Sequence, residues 1–127
     1  MIAIGLMLAL AARGPVKGHV SDANAIGLAQ AIRRQIQPCY QLGKLYGTPG
    51  MRIVTTLRLR FNRDGSLEGT PVVVEQSGID AENYKFAASM AMVAQTAVIR
   101  CSPMRLPPEL WQGGWDDLNM RFTPGQF

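Results

Sequence analysis

Two cysteines are the most definite reactive groups in this chain. Cys39 and Cys101 stand 62 positions apart, with no CxxC or comparable spacing around them, so a structural zinc site is not indicated. They either pair as a disulfide or stay as two buried thiols. His19 is the only histidine, and it lies in a Gly/Pro-flanked stretch. No histidine is therefore placed to activate Ser102 or the other serines, and histidine-based metal sites are ruled out with the same stroke. Asp116 and Asp117 are adjacent, so on a strand they point to opposite faces and cannot act as an acid–base pair. Asp64 reads as a turn residue and Asp80 as a helix cap. Gly113-Gly114 follows no strand and opens no helix, unlike a phosphate-binding loop. These residues speak against an enzyme, and no cofactor or metal is expected. The remaining charged pattern is a basic one: Arg52, Arg58 and Arg60 at even positions, with Arg63 at the turn that follows.

Those arginines sit in 51–77, two apolar runs joined by Asn62-Arg63-Asp64-Gly65. On the first run Ile53, Thr55, Leu57, Leu59 and Phe61 lean apolar, while the even positions carry Arg52, Thr56, Arg58 and Arg60, with Val54 the exception. A period of two describes a strand with one buried and one wet face. Asp64-Gly65 predicts a tight type I′ hairpin turn, because such a turn needs positive φ and glycine tolerates it best. The second run, 67–76, holds Val72, Val73 and Val74 and contains Pro71.

The other elements surround this hairpin. Residues 2–12 form an uncharged apolar run, too short to span a membrane, which takes about 20 residues. Ala9-Leu10-Ala11 fits a signal-peptide cleavage pattern, although the basic n-region is missing. This run reads as an export or anchor remnant, or as an apolar segment packed on the domain. With the Gly/Pro-containing stretch behind it, 1–20 is assigned as remnant and linker, and 21–127 as one folded domain. An apolar content of 47% and a charge content of 17% suit a single modest core. Ser21 or Asp22 can cap a first helix whose apolar positions are Ile26, Ala29, Ile32, Ile36 and Cys39, with Gln30, Arg33, Arg34 and Gln37 facing away. Pro38 should end or kink it. After the hairpin, Ser77 or Asp80 can cap a second helix with the stripe Phe86, Met90, Val93 or Ala94, Ala97 and Cys101, supported by Ala87, Ala91 and Val98. Ser102-Pro103 stops it and Pro107-Pro108 holds the connection extended. Residues 116–123 alternate again, with Leu118, Met120 and Phe122 on one face and Asn119 and Arg121 on the other.

The resulting order is α-β-β-α-β. A hairpin makes the first two strands antiparallel, and one helix returns the chain so that the third strand runs parallel to the second. An all-antiparallel sheet then requires the third strand beside the first, in spatial order 2-1-3. The fold class is α+β: a two-layer sandwich with a three-stranded antiparallel sheet and two helices on one face. Pro71 agrees, since a strand proline belongs on an edge. Cys39 and Cys101 each fall at the C-terminal end of a helix, and two helices side by side could bring them together. Such a bridge would suit an oxidising compartment; two free thiols would suit the cytosol.

At this point the residues carry a family likeness. Ile36-Gln37-Pro38-Cys39-Tyr40 ends the first helix, and Phe61-Asn62-Arg63-Asp64-Gly65-Ser66-Leu67 makes the hairpin. Residues 94–101 then lead into Ser102-Pro103, Leu106-Pro107 and Trp115. In this order the set resembles the C-terminal domain of TolA, of the alphaproteobacterial type, and more loosely that of TonB, over about 25–127. The resemblance implies a non-catalytic periplasmic adaptor of a Tol-Pal-type system, supporting outer-membrane integrity and cell division. Its partners would be TolB- and Pal-like envelope proteins, with phage coat protein and colicins as further ligands. A TolQ/TolR-like motor would be added where a full-length anchor exists. A TonB-like transducer contacting outer-membrane receptors is the neighbouring alternative. The long Ala/Lys-rich helical spacer of TolA is not present.

Two binding modes follow from the predicted sheet. In the first, an extended peptide adds to the third strand, Leu118, Asn119, Met120, Arg121 and Phe122, because an edge offers unpaired amides and carbonyls. The second strand is the poorer edge, carrying Gly69 and Pro71. In the second mode, Arg52, Arg58, Arg60 and Arg63 meet phosphates of nucleic acid or another anionic polymer on the helix-free face. That stripe lacks the interleaved aromatic platform of single-strand binders, and a net charge of +4 is a mild bias. Nucleic acid is therefore not the expected partner.

Overall fold

The alternation in the first apolar run becomes the centre of the sheet. In a computed structural model, which describes residues 21–127, strand β1 spans Val54–Arg60. Thr55, Leu57 and Leu59 are buried, as are Ile53 and Phe61 at its ends, while Arg58 and Arg60 are exposed. Strand β2 spans Val72–Ser77 and strand β3 spans Asp117–Phe122. Both pair antiparallel with β1, in spatial order β2-β1-β3. The fold class is thus the expected α+β arrangement, with Leu118, Met120 and Phe122 turned to the same side as Leu57 and Leu59. The reading of 1–20 as an export or anchor remnant, His19 included, lies outside the described residues.

The hairpin turn differs from the predicted type I′. The Asn62 carbonyl accepts from Gly65 N–H at 2.9 Å, and Asn62 N–H donates to the Ser66 carbonyl at 2.8 Å. That pattern is a three-residue loop with a glycine bulge, not a two-residue turn. Asp64 stabilises it by accepting from the Ser66 amide and hydroxyl. Gly65 has φ +91°, and Met104 N–H donates to its carbonyl at 2.8 Å. A Cβ there would collide with the Met104 carbonyl, so the turn needs glycine for conformation and for space.

The second strand also starts later than its apolar run. Phe61 and Leu67 make one bridge, and Glu68 N–H donates to the Arg60 carbonyl. The chain then bows out through Gly69, at φ +82°, and re-enters opposite Arg58 at Val72. Register steps once more between Thr56 and Leu57, leaving Val74 as the extra residue of a bulge. Val72, Val73 and Val74 stay exposed, at 54%, 36% and 48%.

Helix α1 spans Asp22–Ile36, with the Ser21 hydroxyl accepting from Asn24 N–H. Its buried side is Leu28, Ile32 and Ile36. Ile26, expected inside, is 61% exposed. It lies two residues from Leu28, about 200° round the helix, so both cannot face the sheet. A 3-10 turn over Gln37–Cys39 follows, where Pro38 ends the regular helix. Helix α2 spans Ala87–Cys101 and buries Met90, Ala91, Ala94, Ala97 and Val98. Asp80 does not cap it. Its Oδ1 accepts from Glu82 and Asn83 amides, and Asn83 Oδ1 accepts from Asp80 N–H, closing a separate turn. A 3-10 turn over Tyr84–Phe86 leads from there into α2, which has no side-chain cap.

One core joins both helices to the inner face of the sheet: Leu28, Ile32 and Ile36 with Leu57, Leu59, Phe61, Ala94 and Trp115 among its members. Burying each large apolar side chain contributes about 1.5–3 kcal/mol. The tryptophans also tie the connection before β3. Trp115 Nε1 donates to the Pro107 carbonyl at 2.7 Å, and Trp111 Nε1 donates to the Phe61 carbonyl at 2.8 Å. Cys39 and Cys101 are joined in a disulfide, with Cα atoms 6.0 Å apart.

Candidate peptide-docking edge

Strand β3 has one side paired and one side open. Its six residues oppose Thr55 to Arg60 without a register shift. Phe61 N–H donates to the Asp116 carbonyl at 2.9 Å across the next position. The alternation of an antiparallel ladder therefore turns the backbone groups of Leu118, Met120 and Phe122 toward β1, and those of Asp117, Asn119 and Arg121 outward. Among the described residues, no backbone bond reaches β3 from that outer side. The side chains follow the same parity. Asp117, Asn119 and Arg121 are exposed on the helix-free face, whereas Met120 and Phe122 are buried in the core.

Helix α1 runs alongside this edge without closing it. Ala25, Leu28 and Ala29 share a slot of about 330 Å³ with Gly113, Gly114 and Leu118. One turn further on, Ala29 and Arg33 line a shallow groove of about 410 Å³ with Asn119, Met120 and Arg121 of β3, and with Thr56 and Glu75 further across the sheet. The small residues of α1 are what keep the space open. Gly113 takes φ +74° in the wide turn Trp111–Trp115, and its N–H donates to Asp116 Oδ1. At the far end Phe127 stacks on Phe122, with centroids 4.7 Å apart, and Arg33 lies over the Phe127 ring at 5.3 Å. Tyr40 packs against both phenylalanines, and burial pushes its hydroxyl up to about 12.

The other edge is built differently. Strand β2 presents apolar side chains, but Gly69, Pro71 and the bulge at Val74 break its regularity. Irregularity of this kind is how sheet edges are blunted against pairing. Gln95 Nε2 of α2 donates to the Pro71 carbonyl, fastening the start of the strand.

The predicted basic stripe does not form a single cationic face. Arg58 and Arg60 do lie on the helix-free side of β1, but Arg58 makes a two-pronged bond to Asp117, at 2.9 and 2.5 Å, and Arg60 meets Glu68 at 3.4 Å. Arg52 is not on the strand. It sits in the 3-10 turn Pro49–Arg52 and bonds Asp80 and Glu82. Arg63 stacks over Trp111 at 4.9 Å. The hydrogen bond from Arg58 holds the Asp117 carboxyl below the usual carboxylate range, and the bond from Arg52 does the same for Asp80. The two adjacent aspartates take separate partners, Gly113 N–H for Asp116 and Arg58 for Asp117. Among the described residues no three metal-ligating side chains converge.

The sequence reading placed the five residues of β3 but not Ala25, Ala29, Arg33, Gly113 and Gly114 beside them. Helical spacing puts Ala25, Ala29 and Arg33 on one face, four residues apart. Only the packing of α1 shows that this face meets β3. The disulfide is consistent with an oxidising, extracytoplasmic setting. Among the described residues no helix is long and apolar enough to cross a membrane.

No curated protein and no solved structure matches the chain. Residues 22–123 match the family described as uncharacterised conserved protein UCP034077. That match spans the capped start of α1 to the end of β3, and on it the chain belongs to this family.

Proposed function

We propose that this chain is a periplasmic protein-interaction module that receives an extended partner segment as a fourth strand on β3. The observation that carries the reading is the regular, outward-facing ladder of Asp117, Asn119 and Arg121, beside a helix whose small residues leave room for another chain. An incoming strand gains main-chain hydrogen bonds there without needing particular side chains. The disulfide supports placement in the periplasm, as does the resemblance to TolA C-terminal domains in the residues around Cys39, Gly65 and Cys101. In that setting the module is an adaptor of a Tol-Pal-type envelope system, with TolB- or Pal-like proteins as partners and no catalytic role.

The test is a photocrosslinking residue introduced at Asn119 in the exported protein in cells. Adducts with an envelope protein are expected, and they should disappear when Arg121→Pro is added. Proline removes an outward amide proton, yet an edge strand tolerates it. Unchanged adducts in a variant whose circular dichroism and thermal transition match the parent would overthrow the edge assignment. Adducts only with cytosolic proteins would overthrow the periplasmic one.

A further inference from the structure

We propose that the β3 edge selects an extended segment in which acidic residues alternate with small or apolar ones. The inference rests on the strand-addition reading and adds the chemistry of the partner. Side chains of an added strand alternate between the two faces of the sheet. Those opposite Asn119 and Arg121 share the helix-free face, and those between them point toward α1.

The two destinations differ in character. Around the β3 edge, the groove brings Arg121 of β3 and Arg33 of α1 to the strip where the new strand would lie. Among the described residues neither makes an ion pair. Arg33 is held along the groove by the Phe127 ring beneath its guanidinium. Two acids stand near these arginines, Asp117 and Glu75. Asp117 is bound by Arg58, and Glu75 lines the same groove from β2, with Thr56 of β1 between it and Arg121. The two cations thus border the docking strip, while the one carboxylate of the groove, Glu75, stands on β2, two strands inward from the β3 edge; that arrangement favours carboxylates and disfavours lysine or arginine in the partner. On the helix side, the slot of about 330 Å³ is walled by Ala25, Leu28, Ala29 and Leu118, with Gly113, Gly114 and Asn119 completing it. Apart from Asn119 and the backbone of the two glycines, that wall is hydrocarbon, and it holds no charged group for a buried charge to pair with.

The assay is fluorescence anisotropy of the full chain with two labelled synthetic peptides of equal length. One alternates glutamate with valine and alanine, and the other replaces each glutamate by lysine. The glutamate peptide should bind more tightly and weaken with added salt. Arg33→Gln combined with Arg121→Gln should reduce its affinity about tenfold, the factor two part-exposed ion pairs supply. The lysine peptide should not weaken in that variant. On binding, the amides of Asp117, Asn119 and Arg121 should become protected from hydrogen exchange in the unaltered chain, a readout that needs no variant to fold.

The two layers of the argument fail differently. Equal affinities for both peptides, with those three amides protected, overturn the acidic preference and leave strand addition standing. Tight binding of the glutamate peptide without protection at those amides overturns strand addition at β3. Binding of neither peptide at millimolar concentration overturns both.

Discussion

Removing the Cys39–Cys101 bridge should cost this domain about 4 kcal/mol, the chain-entropy value for a closed loop of this length. The perturbation is the double variant Cys39→Ala with Cys101→Ala, since serine would leave hydroxyls in a half-buried place. The folded state does not depend on the bridge for its geometry. Ile36, one turn before Cys39, is fully buried, and Val98 lies equally deep one turn before Cys101. Gln35 donates to the Arg105 carbonyl at 2.9 Å and accepts from Arg105 N–H at 2.8 Å, tying the end of α1 to the chain beyond α2. The loss should therefore arise in the unfolded chain, which the 62-residue cross-link confines. With an unfolding entropy of about 2.1 cal/mol/K per residue over a domain of roughly 100 residues, the melting temperature should fall by about 15–20 °C. Urea titrations of the parent, the parent with reductant and the double variant measure this. The last two should coincide, with a steeper denaturant dependence than the bridged form, because a freed chain exposes more surface. A loss below about 1 kcal/mol would show that the unfolded chain is already compact, and the entropic account would be wrong. Two reactive thiols in protein taken from the cell would remove the bridge itself, and with it the main support for an oxidising compartment.

Other perturbations address separate parts of the structure. Gly65→Ala forces a side chain into φ +91° and against the Met104 carbonyl, and should cost about 2 kcal/mol or more by thermal denaturation. Trp115→Ala removes the largest buried side chain and its bond to the Pro107 carbonyl, and should cost about 3–5 kcal/mol, read from the urea midpoint. Asp117 and Asp80 have folded-state values below their unfolded ones, so their stabilisation is present above about pH 4 and is lost as pH falls through the folded values. Asp117→Asn should flatten the acid limb of the stability profile, and an unchanged limb would mean that solvent screens the Arg58 pair. Tyr40, pushed up to about 12 by burial, binds its proton in the folded state after the unfolded chain has lost it. Stability should therefore fall as pH rises from about 10 to about 12, and Tyr40→Phe should remove that fall.

The parts of the fold legible in the sequence are those where one physical signal dominates. Ile53, Thr55, Leu57, Leu59 and Phe61 alternate because one face is buried, and a register slip would expose the whole set. The same holds for Leu118, Met120 and Phe122, and the 2-1-3 order follows from connection geometry. Legibility fails where two readings share the same residues. Asn62-Arg63-Asp64-Gly65 serves a two-residue or a three-residue loop, and Met104, 39 positions away from Gly65, bears on the choice through its contact. Ile26 and Leu28 compete for the inner face of α1, since each fits a stripe through Ile32 and Ile36. The arginine stripe looked unpaired because its acids are distant in sequence, Asp117 lying 59 positions from Arg58. Given the register, that pair is a diagonal neighbour across β1 and β3, so the sheet neutralises a face that sequence alone makes cationic.

The outward ladder of β3 also bounds how tightly a partner can bind. Asp117, Asn119 and Arg121 offer one amide and one carbonyl each, and a net gain of about 0.5–1.5 kcal/mol per hydrogen bond gives roughly 3–9 kcal/mol in all. Association and ordering of a flexible segment oppose this by about 4 kcal/mol or more. Backbone pairing alone therefore falls short of the roughly 8 kcal/mol that micromolar affinity requires. The remainder must come from side chains, and on this edge those are the Arg33 and Arg121 strip and the slot beside Ala25 and Ala29. The β2 edge has more exposed hydrocarbon in Val72, Val73 and Val74, but its bulge interrupts the even spacing that a long added strand needs. The two edges are thus protected by different means. Irregularity blunts the β2 edge, whereas in the proposed reading the α1 wall and the two arginines leave β3 open to one kind of strand.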